Sequence, residues 1–152
     1  MPYDGTGYRA EHDPVLGRLT RARARLTDRR HWIAGRYFEE DGGGHHYCIL
    51  GALSADPADD GCMAQDAVGR EATVWLARQI CGADMPFADA ARVVYNLNDG
   101  NAALEALSQS AMGFLFIAGR RKIDGHGRVL GLLDDAIAAR RLEIECPVVN
   151  AR

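Results

Sequence analysis

The sequence contains no apolar run long enough to cross a bilayer. Its longest, Ala111 to Ala118, is far short of the roughly 20 residues a crossing helix requires. Nor do Met1 to Gly7 carry the basic start and apolar stretch of an export signal, so the expected setting is a soluble protein in a reducing interior. Lysine is almost missing: of 18 basic residues only Lys122 is a lysine, the rest being arginines, whose planar fork suits carboxylates and phosphates. The four cysteines, Cys48, Cys62, Cys81 and Cys146, form no Cys-x-x-Cys pair, so they read as single thiols rather than as a zinc site or a disulfide framework. An excess of one charge is missing too. The 18 basic and 21 acidic residues leave −3, which excludes a histone-like coat protein.

What remains is the composition of an ordinary globular domain. At 152 residues the chain is long enough for one core, and 47% hydrophobic with 26% charged residues excludes disorder throughout. Residues 1–13 read as a flexible arm, 14–149 as a single helical domain and 150–152 as a tail. Asp13 and Pro14 suit a helix start, and Val15, Leu19, Ala22, Leu26 and Ile33 continue nearly on one stripe until Gly35 breaks it. Segments 36–39 and 46–49 flank Asp41, Gly42, Gly43 and Gly44, which predicts a hairpin. A short helical turn after Ile49 follows.

Ala64, Val68, Ala72, Trp75, Leu76 and Ile80, closed by Gly82, predict the next helix. Phe87, Ala90, Ala91, Val94 and Leu97 predict another, opened by Pro86 and stopped by Asn98, Asp99, Gly100 and Asn101. A further stripe runs from Leu104 to Leu115, and Val129, Leu130, Leu133 and Ile137 line the last helix after a turn at 124–127. Beyond Arg141 the period changes to two, with Leu142, Ile144, Cys146 and Val148 alternating with Glu143, Glu145 and Pro147. That alternation predicts an edge strand beside the hairpin. The expected fold is mainly α: a bundle of about five helices carrying a small β-hairpin or edge sheet.

A basic helix ending in His31-Trp32, then Gly35, then Cys48-Ile49-Leu50-Gly51-Ala52-Leu53, a helix bearing Trp75, and Asn98-Asp99 together resemble a bacterial domain family of unknown function. In that pattern a tryptophan follows the first helix, a Cys-x-x-Gly-Ala segment follows a Gly/Asp-rich turn, and Trp-Asn-Asp precedes the last helix. The resemblance spans about residues 14–140. It departs from the pattern at Tyr95-Asn96-Leu97, which stand before Asn98 in place of tryptophan, and at 102–118, which reads as an insertion. It implies a short, mainly helical bacterial protein and assigns no activity.

Charge is unevenly spread. Residues 9–36 hold eight arginines against Glu11, Asp13 and Asp28, a net +5, and the remainder of the chain carries −8. Arg18, Arg21, Arg25 and Arg29 fall on one helix face, with Trp32 at its end. The leading reading is a binding module that offers this row to a protein partner or an anionic ligand, with no cofactor and no membrane. The row could grip phosphates, but the acidic balance of the whole chain does not favour nucleic acid.

The alternative is a hydrolase or transferase with Cys48 as nucleophile. A thiol at a helix start has its pKa lowered. It would need a base from His31, His45, His46 or His126, His46 being the choice, and an orienting group from Asn96, Asn98 or Asp99, Asn98 being the choice. His46 and Cys48, with Asp41 or Glu39, make half of a metal site at most. Asp41 to Gly44 lack the Gly-Lys-Ser/Thr ending of a phosphate loop. The neighbours Glu39-Glu40, Asp59-Asp60 and Asp134-Asp135 point different ways on any regular element and form no acid/base couple.

Overall fold

The computed structural model describes residues 12–36, 38–55, 64–100 and 125–146. Helix α1, Pro14–Leu26, starts where Asp13 accepts the Leu16 amide at 2.7 Å, with proline in the first turn where no amide partner is needed. Its buried stripe is Val15, Leu16, Leu19, Ala22 and Leu26, spaced at helical intervals. The helix stops at Leu26 rather than running toward Ile33. Asp28 takes the Arg30 amide at 2.9 Å and opens a separate 3-10 turn, Arg29–His31, because a short carboxylate competes for backbone amides.

Strands β1, Phe38–Asp41, and β2, Gly44–Tyr47, form the expected antiparallel hairpin, with Phe38 opposite Tyr47 and Asp41 opposite Gly44. Asp41 accepts the Gly43 amide at 2.8 Å inside the turn. Trp32 then pairs with Tyr47 in a parallel bridge, the Ile33 amide donating to the Tyr47 carbonyl at 2.9 Å. The hairpin is thereby joined to the segment that leaves α1.

Helix α2, Ile49–Leu53, is five residues long and all of them are buried. Helices α3, Ala67–Cys81, and α4, Phe87–Asp99, end on Gly82 and Gly100, both at positive φ, the left-handed closure glycine accommodates. Helix α5, Gly125–Glu145, is the last among the described residues. Central helix α1 contacts α2, α3 and α5, while α4 lies against α3 and α5. Leu19, Leu26, Leu53, Leu76, Leu97 and Leu132 are among the side chains that fill the space between them. Among the described residues no helix is long and apolar enough to cross a membrane.

Among the described residues the fold is mainly helical with one two-stranded sheet, as expected, but over 142–145 helix stands where a strand is predicted. Helix α5 continues through Glu145, and the Cys146 amide still bonds the Leu142 carbonyl at 2.8 Å. Alternation over so few residues does not outweigh propagation of an established helix through Ala138, Ala139, Arg140, Arg141 and Leu142, all good helix formers. Leu142 is 63% exposed, whereas Ile144 packs on the core. Gly125 likewise starts this helix instead of sitting in a turn. The helix predicted from the 104–115 stripe, most of the arm, the tail and Pro147 and Val148 lie outside the described residues.

Two glycines give opposite expectations for the same substitution. A Cβ on Gly69, in the first turn of α3, would sit 2.5 Å from the Ala64 carbonyl oxygen, whereas one on Gly17 in α1 would meet nothing within 4 Å. Gly69→Ala is expected to cost about 1–3 kcal/mol through overpacking, and Gly17→Ala to add about 0.5–1 kcal/mol by removing backbone freedom from a helix interior. Urea unfolding of the two variants checks the signs; equal shifts in one direction refute the assignment.

Candidate functional site

Of the residues that carried the family resemblance, Trp32, Gly35, the start of the 48–53 segment and Asn98-Asp99 meet at one place, while Trp75 bonds the Ala136 carbonyl elsewhere at 2.9 Å. Ala90, Val94 and Leu97 turn one face of α4 inward, and the last turn brings Asn98 in with them, fully buried. Its amide oxygen accepts the Trp32 indole N–H at 2.9 Å and the Ile49 amide at 3.0 Å. Its nitrogen donates to the Ile33 carbonyl at 3.0 Å and to Asp99 Oδ1 at 3.1 Å. That carboxylate oxygen also accepts the Gly35 amide at 2.9 Å. A buried amide with both donors and both acceptor directions in use is a satisfied network. It ties the 32–35 segment, the start of α2 and the end of α4 together.

Cys48 adjoins this node as the N-cap of α2, its sulfur accepting the Gly51 amide at 3.4 Å. It is fully buried. His46, its expected base, is turned elsewhere, with Nδ1 2.6 Å from the Arg30 carbonyl oxygen and Nε2 3.0 Å from Asp41 Oδ1. Asn98, the expected orienting group, spends its amide on four protein partners. The three side chains of the thiol reading are thus not assembled into a relay. His126 donates to the Leu26 carbonyl, 2.6 Å away, at the negative end of α1. No three His, Cys, Asp or Glu side chains among the described residues are gathered to hold a metal.

The arginine row is split rather than displayed as one outward ridge. Arg18 forks onto both oxygens of Asp66 at 2.9 Å and reaches the Leu53 carbonyl at 3.0 Å, leaving 11% of its side chain exposed. This pairing lowers the Asp66 pKa. Arg25 holds the Ala52 and Ser54 carbonyls, each at 2.9 Å, with its guanidinium 5.4 Å from the Tyr47 ring centroid. Both therefore cap the end of α2, where helical carbonyls lack partners and cations are favoured. The physical cause is that α1 is packed on three sides, so most of its long side chains emerge at a helix junction.

Arg23, which the row omitted, bonds Asp134 of α5 at 2.8 Å. Arg21 stays exposed on α1, and Arg29 on the 3-10 turn. Trp32, named with the arginine row, is partly buried against the core, with Gly125 and the His126 ring beside it.

Sequence reasoning missed several of these partners. Asp66 and Asp134 are 48 and 111 residues from the arginines they hold. Arg140 of α5 pairs with Asp13 at 3.0 Å, across 127 residues, and lies 5.0 Å from the Trp75 ring centroid. No local spacing rule reaches such separations. Asn98 did carry a signal, a polar pair at a helix end, which fitted a simple cap equally well.

Because the buried Asn98 amide satisfies the Trp32 indole, the Ile49 amide and the Ile33 carbonyl as well as contacting Asp99, Asn98→Ala is expected to destabilise the fold by about 2–5 kcal/mol. Trp32 fluorescence should report the loss on denaturant titration. A change below about 1 kcal/mol would show that the node contributes little.

No curated protein matches the chain, and neither does any solved structure. One family does match, over residues 10–113, the stretch that holds α1 to α4 and the Trp32, Cys48 and Asn98 node. With most of its length so matched, the chain belongs to DUF6197, a family of unknown function.

Proposed function

We propose that the protein is a small non-catalytic binding module of the bacterial cytoplasm that takes an anionic group, on a protein partner or a small ligand, at Arg21 on the open edge of α1. One observation carries this reading: Arg21 is exposed and has neither hydrogen bond nor ion pair among the described residues. Arg18 and Arg25 stand one turn away on either side, where side chains three and four apart are neighbours. Partial burial, then Arg25 and Arg18, lower the Arg21 pKa, and Asp66, itself held by Arg18, opposes them.

A guanidinium among like charges gains from an incoming anion what its own protein does not supply. The exposed Cys146 thiol suits a reducing compartment. The buried, occupied states of Cys48 and Asn98 support binding over thiol chemistry, and the net charge of −3 supports a local contact over wrapping of nucleic acid.

The test separates anchor from contact. Wild type is expected to be retained on a heparin column at low salt and released steeply as salt rises. Arg21→Ala should lose most of that retention while changing stability by less than about 0.5 kcal/mol. Arg18→Ala and Arg25→Ala should instead lower the unfolding midpoint, since each uncaps α2. Retention of Arg21→Ala equal to wild type, or no retention of wild type at low salt, overturns the proposal.

A further inference from the structure

We propose that His46 is a proton-operated clasp that seats the β1–β2 hairpin on the Arg29–His31 turn. The geometry is that of a ring between two acceptors. Nδ1 lies 2.6 Å from the Arg30 carbonyl oxygen and Nε2 lies 3.0 Å from Asp41 Oδ1. Neither a carbonyl nor an ionised carboxylate has a hydrogen to give, and a neutral imidazole has only one N–H. Both contacts are therefore hydrogen bonds only in the imidazolium form. The neutral ring turns a lone pair toward one of the oxygens and loses that bond.

The surrounding charges favour the protonated state. From β1, Asp41 and Glu39 share the face of His46, Glu39 directly opposite it in the register. On β2, His45 projects to the other face, where its Nε2 meets Glu40 at 3.5 Å. From the turn, Arg30 offers its carbonyl while its guanidinium is held by Asp28 at 2.6 Å. The His31 ring centroid is 6.4 Å away, and its Nδ1 is bound to the His45 carbonyl at 2.8 Å. The His46 pKa is accordingly raised, first by Asp41 and then by the Arg30 carbonyl, and that of Asp41 is lowered, chiefly by His46. With 19% of its side chain exposed, His46 can exchange its proton with solvent.

The direction of the effect follows from linkage. A histidine whose folded-state pKa lies above its unfolded value contributes fully below the unfolded value, about 6.5, and loses that contribution as pH rises through the folded one. The clasp is thus closed in mild acid and opens toward alkaline pH. Opening reaches past the hairpin, because the turn leads directly into Trp32 and the Ile33 amide, which bonds the Tyr47 carbonyl at 2.9 Å.

The test is a side-chain nitrogen NMR titration of the full chain, from about pH 5 to 9, with amide hydrogen exchange corrected for its intrinsic pH dependence. His46 should show both ring nitrogens protonated at the acid end and a midpoint above about 6.5. The Ile33 amide should lose protection severalfold across that same midpoint. In Asp41→Asn the His46 midpoint should fall and the protection step should move with it. In His46→Gln, whose amide does not titrate, the step should vanish. A His46 midpoint at or below about 6.5, or Ile33 protection that is flat through the titration, overturns the proposal. If His46→Gln does not fold, the Asp41→Asn comparison decides alone.

Discussion

A single primary amide sets the terms for the rest of the molecule. Asn98 is wholly enclosed, and an enclosed amide left without partners costs about 1–3 kcal/mol per unmet group. It is satisfied only if the Trp32 indole, the Ile49 amide, the Ile33 carbonyl and Asp99 all arrive together. Two of the pieces that the node brings together, directly or through Trp32 and Ile33, are weak alone. A five-residue helix does not persist in water, and neither does an isolated hairpin. The node fixes where α2 begins, Arg18 and Arg25 hold where it ends, and the hairpin is joined to the same segment through Trp32 and Ile33. Apolar burial supplies most of the stabilisation, but it is non-directional. The amide is what selects one arrangement of these short pieces.

The sequence disclosed whatever depends on near neighbours. Asp13 with Pro14, the α1 stripe as far as Leu26, the α3 stripe from Val68, the α4 stripe, Gly82 as a closing residue and the glycine-rich hairpin turn all follow from spacings of a few residues, and all are present, whereas Ala64 precedes α3 at positive φ. Two errors share one origin. The apolar stripe of α1 continues in sequence across Asp28, and the alternation after Arg141 predicts a strand, yet a pattern continued over four or five residues does not say whether a competing local bond or an existing helix prevails. The candidate site was less legible. That Trp32, Cys48 and Asn98 lie together was implied by no spacing, and the inward turn of Arg18 and Arg25 depended on acceptors 27 to 48 residues away.

The near absence of lysine acquires a physical meaning in this light. Arg18 contacts two carboxylate oxygens and a main-chain carbonyl at once, and Arg25 bridges two carbonyls beside an aromatic ring. A rigid guanidinium fork can do this in one rotamer, whereas an ammonium is a compact, strongly hydrated point charge. A cluster that looks like a surface for partners is therefore largely a set of internal braces. The acidic remainder of the chain does not simply neutralise the basic segment; Asp66 and Asp134 are spent on particular arginines, and Arg21 keeps its charge outward.

The same reasoning distinguishes a brace from a switch. The Asp66 carboxyl, its pKa lowered by the Arg18 hydrogen bonds, stays ionised through the physiological range, so that bond is constant and adds nothing that could vary with conditions. His46 occupies a comparable bridging position between turn and strand, but its second hydrogen bond exists only with a proton that histidine gains or loses near neutrality. The hairpin rests on such contacts rather than on a buried apolar face, for β1 and β2 have no fully buried residue. An element attached by polar bonds at its base, one of them proton-dependent, lies at the low end of local stability, while the Asn98 node, sealed by Leu97 and Ile49, stays at the high end.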